Sequence, residues 1–349
     1  MDRKHFAFLD SMRGFAAAWV VLFHLNEVGQ FSPNAYQWFV KAGSLGVPIF
    51  FVLSGYAIHS SVLRAPKLKV FLQRRFFRIY PPYIASLLIV MIVVLSRKLE
   101  TGYNDLITLP HDFVGWLETI TLTTKPITST IPINWVYWTL SYEAAFYLWL
   151  AIALAMPKMR LLFLFFPVVL SLIWNDMPIF FINQWCIFAL GAVIAEWRHR
   201  PGPLPIALAV LCLSDASLHR ALGETVAACV AFILVFAALS NRFAWLNREP
   251  ILHHVGSWSY SLYLTHVPIG VWLALSLDPW PRKLSGSSFA THIALDFYAL
   301  TACCVFAYMF WRLVERPSYE FARGKTAKAE SPESIRQNNQ QAAQPERKS

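Results

Sequence analysis

At 349 residues the chain is long enough for two soluble domains, but 56% of it is hydrophobic and only 14% charged. That balance excludes an ordinary soluble domain and an intrinsically disordered chain. The net charge of +10 sits in segments flanking apolar runs and calls for no nucleic acid.

No alternating strand pattern competes with the apolar runs, so the expected fold is all-α, a polytopic integral membrane helix bundle. Ten spans are expected, at 6–26, 45–63, 80–98, 135–156, 161–175, 178–196, 203–219, 221–240, 252–277 and 291–313. The fifth and seventh are short, and the seventh can instead be re-entrant or tilted. Basic residues test this count, because Lys and Arg collect in cytoplasmic loops. Every even-numbered span ends at a basic segment, as at Arg64 to Arg78, Lys158 and Arg160, Arg198 and Arg200, or Arg242 and Arg248. Both termini are therefore expected in the cytoplasm.

Arg3 and Lys4 precede the first span as in a signal peptide, but Asp10 and Arg13 interrupt its apolar run and no small-x-small cleavage site follows, so it is read as retained. Arg13 and His24 stand eleven positions apart, which places them on one helix face about 16 Å from each other. They line one buried groove without touching. Arg13 can snorkel or pair with Asp10 at i, i+3, whereas His24 lies deeper and must be hydrogen-bonded across helices or have a chemical task.

After the second span comes F-L-Q-R-R-F-F-R-I-Y-P-P-Y. Arg74, Arg75 and Arg78 are expected in a loop at the cytoplasmic surface, with Pro81 and Pro82 starting the next helix. Their guanidinium forks suit the phosphates of a coenzyme, or anchor the chain to anionic membrane lipid. The long outer loop at 99–134 holds an amphipathic stretch, Phe113 to Leu122, expected on the membrane surface or as a lid. Glu143 falls near the middle of span four, where an unpaired carboxylate costs about 2.5–3.5 kcal/mol; it must be protonated, paired with an arginine or facing water.

In span nine, Ser259, Tyr263 and His266 form a single stripe at i, i+4 and i+7, either a polar packing seam or part of a site. Pro268 is expected to bend that helix. His292 and Asp296, near the outer end of span ten, read as structural. The five cysteines, Cys186, Cys212, Cys229, Cys303 and Cys304, show no ligand spacing and read as buried thiols, with no metal site. A membrane domain is expected over 1–320 and a polar, disordered cytoplasmic tail over 321–349. No internal repeat is found, which disfavours inverted-repeat transporters.

Six stretches together resemble the acyltransferase-3 family of bacterial integral membrane acyltransferases: Leu9 to His24, G-V-P-I-F-F-V-L-S-G-Y from Gly46, the arginine stretch from Phe71, W-T-L-S-Y-E-A-A-F-Y from Trp138, S-Y-S-L-Y-L-T-H from Ser259, and L-V-E-R-P from Leu313. Their order spans about residues 5–320. The resemblance implies a bacterial inner-membrane location, a cytoplasmic acyl-CoA donor, most often acetyl-CoA, and a carbohydrate acceptor acylated on a hydroxyl. It carries the family's paired Arg and His onto Arg13 and His24 and its basic segment onto Arg74, Arg75 and Arg78. Pro48 departs from the pattern, since many members have an acidic residue there. The fused extracytoplasmic domain of some members is not expected here, so further handling of acceptor would fall to an accessory envelope protein.

On this reading a neutral His24 takes the proton of the acceptor hydroxyl, Glu143 orients that histidine, and Ser141, Tyr263 or His266 donates to the developing oxyanion. An acyl-histidine intermediate stays open. The rival of a different class is a transporter of a lipid-linked or glycan substrate, whose intramembrane charges form a path. A non-catalytic assembly partner of the same fold is the third reading.

Overall fold

The computed structural model describes residues 7–27, 34–101, 109–174, 178–240, 251–272 and 289–329. Among them there is no strand. Helix α1 (Ala7–Leu25) is followed by the short α2 (Ala35–Lys41), a 3-10 turn (Ala42–Leu45), α3 (Gly46–Leu63), α4 (Leu68–Thr101) and α5 (Phe113–Thr121). Then come α6 (Trp138–Ala155), entered through a 3-10 turn (Trp135–Tyr137), α7 (Arg160–Ile173), α8 (Ile182–His199), α9 (Pro203–His219) and α10 (Leu222–Ala238). The last group is α11 (Ile251–Ser257), α12 (Ser259–His266) with a π-helical extension (Val267–Trp272), α13 (Phe289–Phe310), a π turn (Trp311–Glu315) and α14 (Arg316–Ala329).

Five stretches are long and apolar enough to cross a membrane by length and composition: Ala7–Leu25, Ala35–Leu63, Leu68–Ser96, Trp135–Ala155 and Ile293–Lys325. The chain is a multi-pass helical membrane protein. The described residues leave the expected count of ten unconfirmed. Helices α9 and α10 have 17 residues each and rise about 25 Å, short of the roughly 30 Å hydrocarbon core.

Between lipid-facing helices the hydrophobic drive is weak, and close backbone approach at small residues takes its place. Helices α3 and α8 meet at Gly55 and Gly191: a Cβ on Gly55 would stand 1.9 Å from the Phe188 carbonyl oxygen, and one on Gly191 would stand 1.9 Å from that of Val52. Beside them, buried His59 Nε2 lies 2.6 Å from Glu196 Oε1, while Arg160 grips the same carboxylate through Nε (2.8 Å) and Nη2 (3.2 Å). This triad joins the C-terminal ends of α3 and α8 to the start of α7 and marks the basic end of the bundle.

The arginine stretch differs from expectation. It is no loop: α4 starts at Leu68 and runs without a break through Pro81 and Pro82. Pro81 cannot donate to the Phe77 carbonyl one turn back, but Ser318 Oγ of α14 donates to that oxygen at 2.5 Å, so the helix keeps its backbone satisfied across the proline. Ser318→Ala is expected to leave the Phe77 carbonyl unpaired at a cost of about 1 kcal/mol. A lowered thermal midpoint in detergent, absent in Ser318→Thr, checks this.

A second proline obeys the same logic. The bend expected at Pro268 takes the form of the π-helical turns from Val267, and the Leu264 carbonyl that Pro268 leaves free accepts Asn134 Nδ2 at 3.4 Å. The amphipathic stretch is a short helix, α5, capped by the Asp112 side chain on Gly115 N–H. Gly115 and Thr119 face the protein, whereas Phe113, Val114, Leu117 and Ile120 are exposed, the disposition of a helix lying in the membrane interface. At the other terminus α14 stays helical to Ala329, past the boundary expected at 320; residues 330–349 lie outside the described part.

Candidate active site

His24, on the last turn of α1, and His266, on the last turn of α12, meet: His266 Nε2 lies 3.0 Å from His24 Nδ1. The protons in this pair follow from the acceptors around it. His266 Nδ1 faces two backbone carbonyls, Leu262 at 3.1 Å and Tyr263 at 2.9 Å, and must be the N–H donor to them. Its Nε2 is then a lone pair, so His24 Nδ1 must donate to it. Neutral His24 is left with Nε2 unprotonated, the arrangement a general base requires. His266 is fully buried and His24 half-buried.

One cavity is lined by His24 itself, and a second shares part of its wall. The outer one, about 620 Å³ of empty space with its mouth, is lined by His24, Ser44, Trp138, Gln184, Glu224 and Tyr263 among others. Ser44 and Gln184 stand at the starts of α3 and α8, and Trp138 and Glu224 at those of α6 and α10, so four helix N-termini converge where His24 sits. The inner one, about 650 Å³ with its mouth, holds Arg78, Glu143, Ser54, Ser259 and Tyr260, walled by Phe50, Phe51, Ile79 and Leu140. Val47 and Tyr263 line both cavities.

The inner cavity holds charges of both signs. Arg78 lies in the field of the Glu143 and Glu315 carboxylates, and Arg13 in that of Asp10 and Glu143. Tyr147 donates its hydroxyl to Glu143 Oε1. Arg75 is held between two rings, with its guanidinium carbon 5.3 Å from the centroids of both Phe71 and Tyr147, a cation–π clamp that turns it inward. Arg13 also pairs with Asp10, Nη1 to Oδ1, at 3.8 Å, as i, i+3 spacing allows. Arg74 is half-buried on α4 and lines neither cavity.

The structure thus gathers Arg13, Arg75, Arg78 and Glu143 at one station, and His24, His266 and Tyr263 at another. Glu143 stands in the inner cavity and His24 in the outer, and the group that holds the His24 ring is His266. Ser141 belongs to neither cavity: its hydroxyl donates to the Leu122 carbonyl at 2.8 Å and ties α6 to the end of α5. The Tyr263 hydroxyl donates to the Val136 carbonyl at 2.6 Å and lies 2.7 Å from Thr139 Oγ1. Asp296 is a clamp, accepting Asn26 Nδ2 at 2.9 Å and Tyr36 O–H at 2.6 Å, and so holds α2 and α13 to the residue beyond α1. The side chain of His292 lies outside the described part.

Glu315 was not singled out from sequence. Its Oε2 accepts the backbone N–H of Ser261 at 3.1 Å and its hydroxyl at 2.5 Å, which puts a second carboxylate against α12. The L-V-E-R-P stretch carried the signal, but nothing in its spacing said what the glutamate meets.

Fold and site define a polytopic membrane protein with a histidine pair, one member of which lines a cavity that shares Val47 and Tyr263 with a second. Residues 6–312 match the family described as an acyltransferase domain, Acyl_transf_3; the chain belongs to the acyltransferase-3 family. It is 24% identical over 316 residues to a protein of Staphylococcus aureus (strain COL) provisionally named an O-acetyltransferase, covering 75% of this chain and 50% of that protein. Acyltransferase MdmB of Streptomyces mycarofaciens is 26% identical over 308 residues, 74% of this chain and 77% of MdmB. Peptidoglycan O-acetyltransferase OatA of Listeria monocytogenes is 35% identical over 97 residues, 26% of this chain and 14% of OatA. The chain spans about half the length of the Staphylococcus relatives it matches. No solved structure matches it.

Proposed function

We propose that this protein is a membrane-embedded O-acyltransferase that takes an acyl group, acetyl in the first instance, from acyl-CoA and places it on a carbohydrate hydroxyl. The observation that carries the reading is the His24–His266 pair, whose hydrogen bonds leave Nε2 as the free base of His24, a residue that lines the outer cavity. Family membership and the O-acetyltransferase relatives support the reaction class.

The basic end of the bundle is the cytoplasmic end, by the Lys and Arg bias of its segments. The donor enters there, with Arg78 and the rest of the inner arginine cluster offered to its phosphates. The acceptor enters the outer cavity, where Trp138 is a platform for a sugar ring and Ser44, Gln184 and Glu224 are partners for its hydroxyls. His24 Nε2 takes the proton of the acceptor hydroxyl as that oxygen attacks the thioester carbonyl carbon. The C–S bond then breaks and the departing thiolate takes the proton from His24, giving an ester and free CoA. Glu143 and Glu315 hold the arginines in place, and the four helix N-termini favour the oxyanion.

Purified protein in lipid nanodiscs is expected to release free thiol from acetyl-CoA, and cells expressing it to carry envelope glycans heavier by one acetyl per site than cells lacking it. Transport of a glycan with no thiol released would sink the reading in favour of a transporter. His266 acts through His24 and is a positioning residue. His266→Ala is expected to lower kcat about 10–100-fold with little change in the KM for acetyl-CoA, and to move the acidic limb of the kcat against pH profile, which a merely structural change would leave in place.

A further inference from the structure

The two cavities are separated by one layer of side chains. Val47 and Tyr263 line both, and the Tyr263 ring is fixed at its far end to a residue of each: the Val136 carbonyl of the outer cavity at 2.6 Å and Thr139 Oγ1 of the inner at 2.7 Å. The Phe50 ring meets Tyr263 in a T-shaped contact, centroids 6.3 Å apart. Across the gap Val47 is equally fixed. The preceding Gly46 lies so close to α1 that a Cβ there would stand 2.7 Å from the Ala16 carbonyl oxygen, so the start of α3 is packed directly on the helix that carries His24.

From this geometry, and resting on the acyl-transfer reading above, we infer that Val47 and Tyr263 form the acyl-selectivity filter and restrict the donor to a short-chain acyl thioester. A thioester delivered from the inner cavity reaches His24 only through this partition. Its acyl group must then lie between a β-branched side chain and a phenol locked by two hydrogen bonds, neither of which yields without breaking a contact. The far side offers no spare room, since the acceptor has to share it. Longer chains are excluded at the partition, and the inner cavity plays no part in that discrimination.

The test uses full-length protein in nanodiscs and a series of acetyl-, propionyl-, butyryl- and hexanoyl-CoA, with thiol release as the readout. One methylene in a pocket is worth about 10–200-fold in kcat/KM. Wild type should prefer acetyl-CoA over butyryl-CoA by more than tenfold. Val47→Ala should raise the butyryl-to-acetyl ratio at least tenfold, and Val47→Ile should lower the propionyl-to-acetyl ratio by a similar factor. Tyr263→Phe, which removes only the anchoring hydroxyl, should move the ratio in the same direction as Val47→Ala. A ratio unchanged across the three variants, or a wild type indifferent to chain length, overturns the filter while leaving the enzyme reading intact. No thiol release from any acyl-CoA by wild type or variants fails the enzyme reading instead, and the filter with it.

Discussion

His24→Ala is expected to lower acetyl-CoA turnover by about 10²–10⁴-fold, the usual contribution of a positioned general base. Its size follows from the proton arrangement. The Leu262 and Tyr263 carbonyls oblige His266 to present a lone pair, and that lone pair obliges His24 to present its hydrogen at Nδ1, so no other nitrogen of the pair is free to accept a proton from substrate. An alanine removes that base without opening the fold, because α1 is held independently through Asp10 against Gly256 and through Asn26 on Asp296. Thiol release by purified variant, with helical circular dichroism and monodisperse elution as checks on folding, decides the matter. Turnover within tenfold of wild type would remove His24 from the chemistry and leave the pair as a polar packing seam.

Replacing Gly191 with leucine is expected to prevent recovery of folded protein, and Gly191→Ala to cost about 3 kcal/mol or more. The nearest atoms to a Cβ at that position are backbone, the Val52 oxygen at 1.9 Å and the Tyr56 nitrogen at 2.6 Å, and backbone cannot turn aside as a long side chain can. Inserting bulk into a packed core costs about 1–3 kcal/mol when side chains can rearrange; here two helices must separate along their whole contact, and the His59–Glu196–Arg160 triad beside it would be pulled apart. Heating detergent-solubilised protein and following the folded fraction by size exclusion measures the loss. Gly202→Ala, where an added Cβ meets nothing within 4 Å, is the matching control and should leave the stability within about 0.5 kcal/mol of wild type.

How much was legible beforehand differs from element to element. Helix α1 was readable because a run of apolar residues of that length has one stable form in lipid. Arg74, Arg75 and Arg78 beside two prolines misled, since proline normally ends a helix, and only the distant Ser318 hydroxyl makes an unbroken helix tolerable there. Glu143 stood out by its position in an apolar span, yet its company, Tyr147 and the field of Arg78, lies on α6 itself and on α4, and the second of these is invisible to local spacing. Ser141 and Tyr263 looked alike as hydroxyl donors in sequence. In the bundle one ties α6 to an interfacial helix and the other stands between the two cavities.

The chain alone determined its solvent and its secondary structure, a helical multi-pass protein with an arginine-rich end, because both depend on residue character summed over stretches of about 20 residues. It also marked the residues too costly to bury idly. Which of them meet was decided only by tertiary packing: His24 and His266 are 242 positions apart, and the tautomer that makes one of them a base depends on carbonyls of a helix that sequence spacing cannot place beside it. Hydrogen bonds reach about 3 Å, so site chemistry is set by the crossing of helices, which no local pattern encodes.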